Sequence, residues 1–264
     1  MHVVVVAGPA GSGKSTFTKA FADWIDGRGL STWIVNFDPA AEYVPYTPNT
    51  DVREYVRASD IEVKYGLGPN GALVTSIDLL VNHVYEIRAE IEDAGADYVI
   101  VDLPGQLEVV AFRRTGPILL KELLRGLRAS MVFLVDYWLT TDRDSALSIL
   151  LLAMSAQYRF GLPQVLALNK ADIAAEAIKE GFFDEEILRE RSFVMKLLDE
   201  RFTCTSKEIA TPYTPLEVTQ SLCEAIKTTY EGITPISSRL GIGFDNVFAE
   251  LQRIFVGGED YEVR

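Results

Sequence analysis

The sequence predicts an α/β fold of three layers, α/β/α, on a mainly parallel sheet with helical insertions. Three observations predict it. An apolar run, Val3-Val4-Val5-Val6-Ala7, leads into Gly8-Pro9-Ala10-Gly11-Ser12-Gly13-Lys14-Ser15 and then into a helical pattern from Thr16 to Asp26. That order is strand, glycine-rich loop, helix. Further short apolar runs end on polar residues at Asp102 and Asn169. Each strand is separated from the next by an amphipathic stretch, as parallel pairing requires.

The loop matches G-x-x-x-x-G-K-S, which makes the fold a P-loop NTPase. Its glycines let successive backbone N–H groups turn inward toward phosphate oxygens, and the helix start adds unpaired N–H groups and a positive dipole end. Gly11, Ser12, Gly13, Lys14, Ser15 and Thr16 are the phosphate-binding candidates. Lys14 reaches the β- and γ-phosphates, and Ser15 is a ligand for Mg2+.

The chain has 264 residues, 48% hydrophobic and 24% charged, with a net charge of -13. That balance argues against a broad nucleic-acid or anionic-membrane surface, since both need a basic footprint. Two cysteines and two histidines leave a zinc site of Cys and His alone no ligand to spare. Cys204 and Cys223 read as two buried thiols in a reducing compartment. No stretch approaches the ~20 apolar residues of a membrane span, and the chain reads as cytoplasmic. There is no internal repeat and no separating linker, so residues 1–264 are expected to form one domain.

The first helix carries Phe17, Phe21, Trp24 and Ile25 on one stripe, and the second strand runs from Ser31 to Phe37. Strand, helix, strand makes the second strand parallel to the first. That separates the chain from Ras-like GTPases and aligns it with the branch (SIMIBI) of the signal recognition particle GTPases and MinD. Asp38 lies just past this strand, where parallel sheets present residues to ligands. Asn49 or Thr50 caps a short helix over 51–58, and residues 64–72 read as a loop containing the turn signals Pro69-Asn70 and Asn70-Gly71. A long amphipathic helix over 76–93 follows.

The strand Tyr98-Val99-Ile100-Val101 runs into Asp102-Leu103-Pro104-Gly105-Gln106. An acid ending an apolar strand after a P-loop is the Walker B arrangement, and Asp102 is the second Mg2+ candidate. Gly105 can offer its N–H to the γ-phosphate. Gln106 can orient the attacking water, because its amide both donates and accepts. Next come a helix from Pro117, a strand over 131–136 and a helix over 142–159.

The fifth strand, 164–168, runs into Asn169-Lys170-Ala171-Asp172, an N-K-x-D pattern. A carboxylate only accepts hydrogen bonds, and guanine presents N1–H and N2–H2 side by side where adenine does not. Asp172 therefore reads guanine, Asn169 orients the loop and meets the base edge, and the Lys170 stem covers the ring. Residues 173–230 are expected to hold a helical insertion with helices over 184–199 and 215–229. A short strand over 234–236 precedes Ser237-Ser238, the position of a second base-contacting loop. A helix over 244–255 and a frayed acidic tail from Gly257 complete the chain.

In one order, the P-loop, Asp38, Gly68-Pro69-Asn70, D-L-P-G-Q and N-K-A-D resemble the GPN-loop GTPases, archaeal members in particular. The resemblance implies GTP hydrolysis to GDP with Mg2+. It also implies a homodimer in which the Gly-Pro-Asn loop enters the partner's site, bringing Asn70 to the γ-phosphate or the water. Catalytic candidates are then Gln106, Asp102, Asp38, Asn70 and Lys14. Eukaryotic relatives are linked to RNA polymerase II assembly and import, which makes a client complex such as RNA polymerase a candidate partner. Arg113 and Arg114 follow the Gln106 loop without an assigned role. A nucleotide-stabilised scaffold with incidental hydrolysis, and a P-loop kinase, are the alternative readings.

Overall fold

In the computed structural model, residues 1–205, 209 and 214–257 are described. The described strands β1 (His2–Ala7), β2 (Thr32–Asn36), β3 (Thr50–Asp51), β4 (Tyr98–Asp102), β5 (Arg128–Asp136), β6 (Gln164–Asn169) and β9 (Thr234–Pro235) form a seven-stranded sheet. Its order is β3-β2-β4-β1-β5-β6-β9, and every pairing is parallel. β1 sits at the centre and is buried on both faces, which is why it reads as an unbroken valine run.

Alternation along β1 divides the core. Val4 and Val6 pack with Phe17, Phe21 and Ile25 of α1 (Lys14–Asp26) and with Phe244, Val247 and Leu251 of the C-terminal helix Phe244–Gly257. Val3 and Val5 pack on the opposite layer. That layer includes α3 (Pro69–Leu80), α4 (Val84–Asp93), α6 (Thr115–Leu124) and α7 (Arg143–Phe160). Each fully buried Phe or Ile contributes roughly 1.5–3 kcal/mol. The three layers are thus the period-two pattern of the strands meeting the helical stripes on either side.

Several local expectations are corrected. Thr50–Asp51 is a strand rather than a helix start. Asn49 fixes it by accepting from the Ile34 N–H at 2.8 Å, and Asp51 caps the following turn. The helix there is α2 (Ala58–Tyr65), closed by Gly66 at φ 64°. Gly68-Pro69-Asn70 is not mid-loop: Gly68 is the N-cap and Pro69 the first residue of α3. The long helix over 76–93 is broken by a 3-10 turn at Val81–His83. A short helix α5 (Leu107–Ala111) follows Gln106.

In the insertion, Ile178–Lys179 (β7) and Phe182–Phe183 (β8) form a small hairpin. The helix expected over 184–199 is two, α8 (Glu185–Arg191) and α9 (Phe193–Leu198). Ser192 divides them by capping Met195 and donating to Thr140 Oγ1 at 2.9 Å. The segment Leu216–Thr229 is α10, and Phe244–Gly257 is α11. The tail beyond Gly257 lies outside the described residues. Among those described, no helix is long and apolar enough to cross a membrane.

The two cysteines are not free thiols: Cys204 and Cys223 form a disulfide, with Cα atoms 5.9 Å apart. Packing of α10 back onto the turn after α9 brings them together, a proximity that a sequence separation of 19 does not reveal. Lys227 clasps the same turn by donating to the Asp199 carbonyl at 2.8 Å. A closure of this length stabilises a chain by about 3 kcal/mol. The cysteines therefore do not support a reducing compartment.

Candidate nucleotide site

Because every strand of the sheet is parallel, the carboxyl ends of β1, β2, β4, β5, β6 and β9 share one edge. The register sets them level: Val6 and Asn36 both pair with Asp102, and Asp136 pairs with Asn169. The residues that follow these ends line the site, as expected of such sheets.

The glycine-rich loop closes tightly on its surroundings. Gly8 has φ 145°, and a Cβ there would lie 2.6 Å from the Leu134 carbonyl oxygen. Gly13 has φ 91°, and its Cβ would lie 2.5 Å from Asn169 Nδ2. Neither position tolerates a side chain. Lys14 is buried and donates to the Gly8 and Pro9 carbonyls at 3.0 and 2.9 Å. Burial lowers its pKa, while Asp102, Asp38 and Glu108 hold it up. The Ser12 hydroxyl is buried without a hydrogen-bond partner.

Three acids and an amide gather beside this loop. Asp102 is 2% exposed, with Oδ2 accepting from the Tyr46 hydroxyl at 2.6 Å and Oδ1 buried without a partner. Burial pushes its carboxyl up. The hydrogen bond from Tyr46, the neighbouring Ser15 hydroxyl and the Lys14 charge favour the ionised form. Asp38 is raised by burial too. It accepts from the Ala40 N–H at 2.9 Å and from the Gly105 N–H, so Gly105 points at Asp38. Asn36 joins Asp51 at 2.9 Å, and Arg53 grips both Asp51 oxygens and the Ala41 carbonyl.

Together, Gly11, Gly13, Lys14, Ser15, Thr16, Asp38, Asp102 and Gly105 line a cavity of about 340 Å³, with Tyr43 and Val44 at its side. The donor set suits a hard divalent cation: a serine hydroxyl and a buried carboxylate with one orphaned oxygen. Ser15 and Asp102 are the residues that would hold Mg2+.

On the other side, the N-K-A-D loop is bolted to the P-loop. Asn169 Nδ2 donates to the Ser12 carbonyl at 2.8 Å, and Oδ1 accepts from the Ser238 N–H and hydroxyl at 3.1 and 2.9 Å. Asn169 thus braces three loops. Lys170, at φ 62°, donates to the Gly11 carbonyl and to Asp136 at 2.7 and 2.6 Å. Ala171 is buried and donates its N–H to the Ile236 carbonyl. Asp172 stands 3.6 Å from Arg239 Nε, and its side chain is only 12% exposed.

Other candidates lie apart. Gln106 is exposed at the N-cap of α5, outside the cavity lining. Gly68, Pro69 and Asn70 are exposed, and Pro69 borders a separate cavity of about 420 Å³ with Pro39, Glu42, Arg53 and Arg57. Arg113 and Arg114 are exposed. Sequence reasoning missed Tyr46, Asp136 and Arg239. Arg239 directly follows Ser237-Ser238, so proximity to that loop was the one signal available for it.

Comparison with known proteins agrees with this geometry. The family model described as "conserved hypothetical ATP binding protein" matches residues 6–256. GPN-loop GTPase 3 of Dictyostelium discoideum is 34% identical over 191 residues, 70% of this chain and 67% of that protein. GPN-loop GTPase 1 of the same organism is 35% identical over 184 residues, 69% of this chain and 46% of that protein. The chain thus spans about half the length of the GPN-loop GTPases 1 that it matches. A GTPase from Pyrococcus abyssi, solved in its apo form, superposes with a TM-score of 0.78 at 26% identity, covering 96% of this chain and 97% of that one. From P-loop to N-K-A-D, on one edge of a parallel sheet, the chain belongs to the GPN-loop GTPase family.

Proposed function

We propose that this protein binds GTP and hydrolyses it to GDP and phosphate as a homodimer, in which Asn70 of the partner subunit completes each site. The observation that carries the reading is the double grip of Asn169, on the P-loop through Ser12 and on Ser238. It makes the phosphate loop and the base-reading loop one unit, with Asp172 at the guanine end and Lys14 at the phosphate end. Lys14 and the loop N–H groups clamp the phosphates. Mg2+, held by Ser15 with Asp102 behind, supplies neutralisation of phosphate charge when bound. Gln106, aided by Asp38 and by Asn70 across the dimer, orients a water in line with the γ-phosphorus. The water oxygen bonds phosphorus as the bond to the β–γ bridging oxygen breaks, and its proton passes to the released phosphate.

Two features support completion across a dimer. Gln106 and Asn70 are both exposed and stand away from the chain's own cavity. In the segment before Asn70, Val63 is 87% exposed and Tyr65 53%, apolar side chains that a second subunit would cover. Because Asn70 is a neutral donor, turnover is expected to be slow, on the order of 10⁻³ s⁻¹, without the about 10³–10⁵ that an arginine supplies.

A mixing experiment tests this directly. Lys14→Met cripples a subunit's own site but leaves its Asn70. Asn70→Ala does the reverse. Co-expression in equal amounts gives heterodimers in half of the dimers, each with one complete site, so phosphate release from GTP should recover to about a quarter of wild type. A mixture no more active than the average of the two variants would overturn completion by a partner.

A further inference from the structure

Tyr46 stands in the loop between β2 and β3, outside every motif of the chain. Its hydroxyl donates to Asp102 Oδ2 at 2.6 Å across 56 residues of sequence. The loop is tethered on its far side by Asn49, which exchanges two hydrogen bonds with Ile34 of β2. The tyrosine is therefore held rather than free to swing. Asp102 is left with one oxygen committed and the other, Oδ1, buried without a partner, next to Ser15 and Lys14.

A buried carboxylate with one orphaned oxygen is costly, and such a group in a native structure asks for a reason. Tyr46 is the residue that makes the two oxygens unequal. By occupying Oδ2 it fixes the rotation of the carboxylate, so that Oδ1 is the oxygen left for the cation or its water. Asp38 lines the same cavity, whereas Asp51 and Arg53 lie outside its lining and are spent on one another and on Asn36 and Ala41. Hydroxyl partners of this kind set the orientation of metal-binding carboxylates.

We propose that Tyr46 is a positioning residue for Mg2+, acting through Asp102 rather than touching the nucleotide. The inference rests on the nucleotide-binding reading above. Its test is the affinity of wild type and Tyr46→Phe for a fluorescent GDP analogue, measured in EDTA and across a Mg2+ titration. Tyr46→Phe keeps the ring and removes only the hydroxyl, and its melting temperature without ligand reports whether the fold survives. The expected result is a Mg2+ half-saturation raised about 10–100-fold, with metal-free affinity for the analogue within twofold of wild type.

An unchanged Mg2+ half-saturation overturns the proposal. So does a lowered one, which would make Tyr46 a competitor for the carboxylate. A metal-free affinity that falls as far as the Mg2+-bound affinity also overturns it, because the effect would then be on the pocket as a whole. Wild type that binds the analogue neither with nor without Mg2+ would instead refute the nucleotide-binding reading. Should Tyr46→Phe melt early, the same titration is run well below its melting temperature, where a raised Mg2+ half-saturation with metal-free affinity kept is still required, or the proposal falls.

Discussion

Lys14→Met will lower GTP turnover by at least about 10²–10³, the loss typical when one preorganised charge is removed from a reacting oxyanion. The reason is positional. Lys14 is 6% exposed, sits on the first turn of α1, and donates to two loop carbonyls within 3.0 Å. Among the described residues, no other cation lines the cavity that holds Ser15, Asp38 and Asp102. The same substitution should leave the melting temperature of the nucleotide-free protein unchanged or raise it. Burial already disfavours the charged form of this lysine, and an apolar side chain of similar length avoids that desolvation. Site charge and fold stability thus oppose one another here, as they commonly do at functional sites. Phosphate release and thermal melting on one preparation check both halves. A variant that turns over normally, or one that no longer folds, contradicts the assignment.

Asp172→Asn should move the base preference from guanosine to xanthosine. The carboxylate accepts at both oxygens and so matches the paired N1–H and N2–H2 donors of guanine. Asparagine replaces one acceptor with a donor, which meets the guanine amine head-on. Xanthine carries a carbonyl at that carbon and restores a match. A site left with an unpaired polar group discriminates by about 10⁴–10⁵ in favourable cases, and GTP affinity should fall by about 10³. Loss of the Arg239 contact contributes little, because that side chain is 78% exposed and the separation is 3.6 Å. Competition binding with GTP and xanthosine triphosphate measures the exchange. GTP affinity within threefold of wild type would mean that Asp172 does not read the base.

Much of this was legible in the chain itself. The strand ends are marked because apolar runs stop on single polar residues: Val101 to Asp102, Leu168 to Asn169. A parallel sheet then puts those residues on one edge without further information. What stayed hidden depended on contacts across long separations or on residues with two uses. Pro69-Asn70 signals a turn, yet a proline is equally suited to the first position of a helix, and Gly68 as N-cap decides between them. Ser192 splits one amphipathic pattern into two helices because its hydroxyl is drawn to Thr140, 52 residues away. Tyr46 meets Asp102, and Cys204 meets Cys223, only once the layers are packed. No local spacing announces either pair.

The central claim is that one continuous site reads both a triphosphate and a guanine. The measurement that tests it most directly is phosphate release by the purified wild-type protein with Mg2+, GTP and ATP run side by side. Slow release from GTP with none from ATP is the expected result, since ATP leaves the Asp172 carboxylate without its donors. Equal release from both would contradict the claim. It would leave the P-loop as a nucleotide clamp and remove the N-K-A-D loop from base recognition.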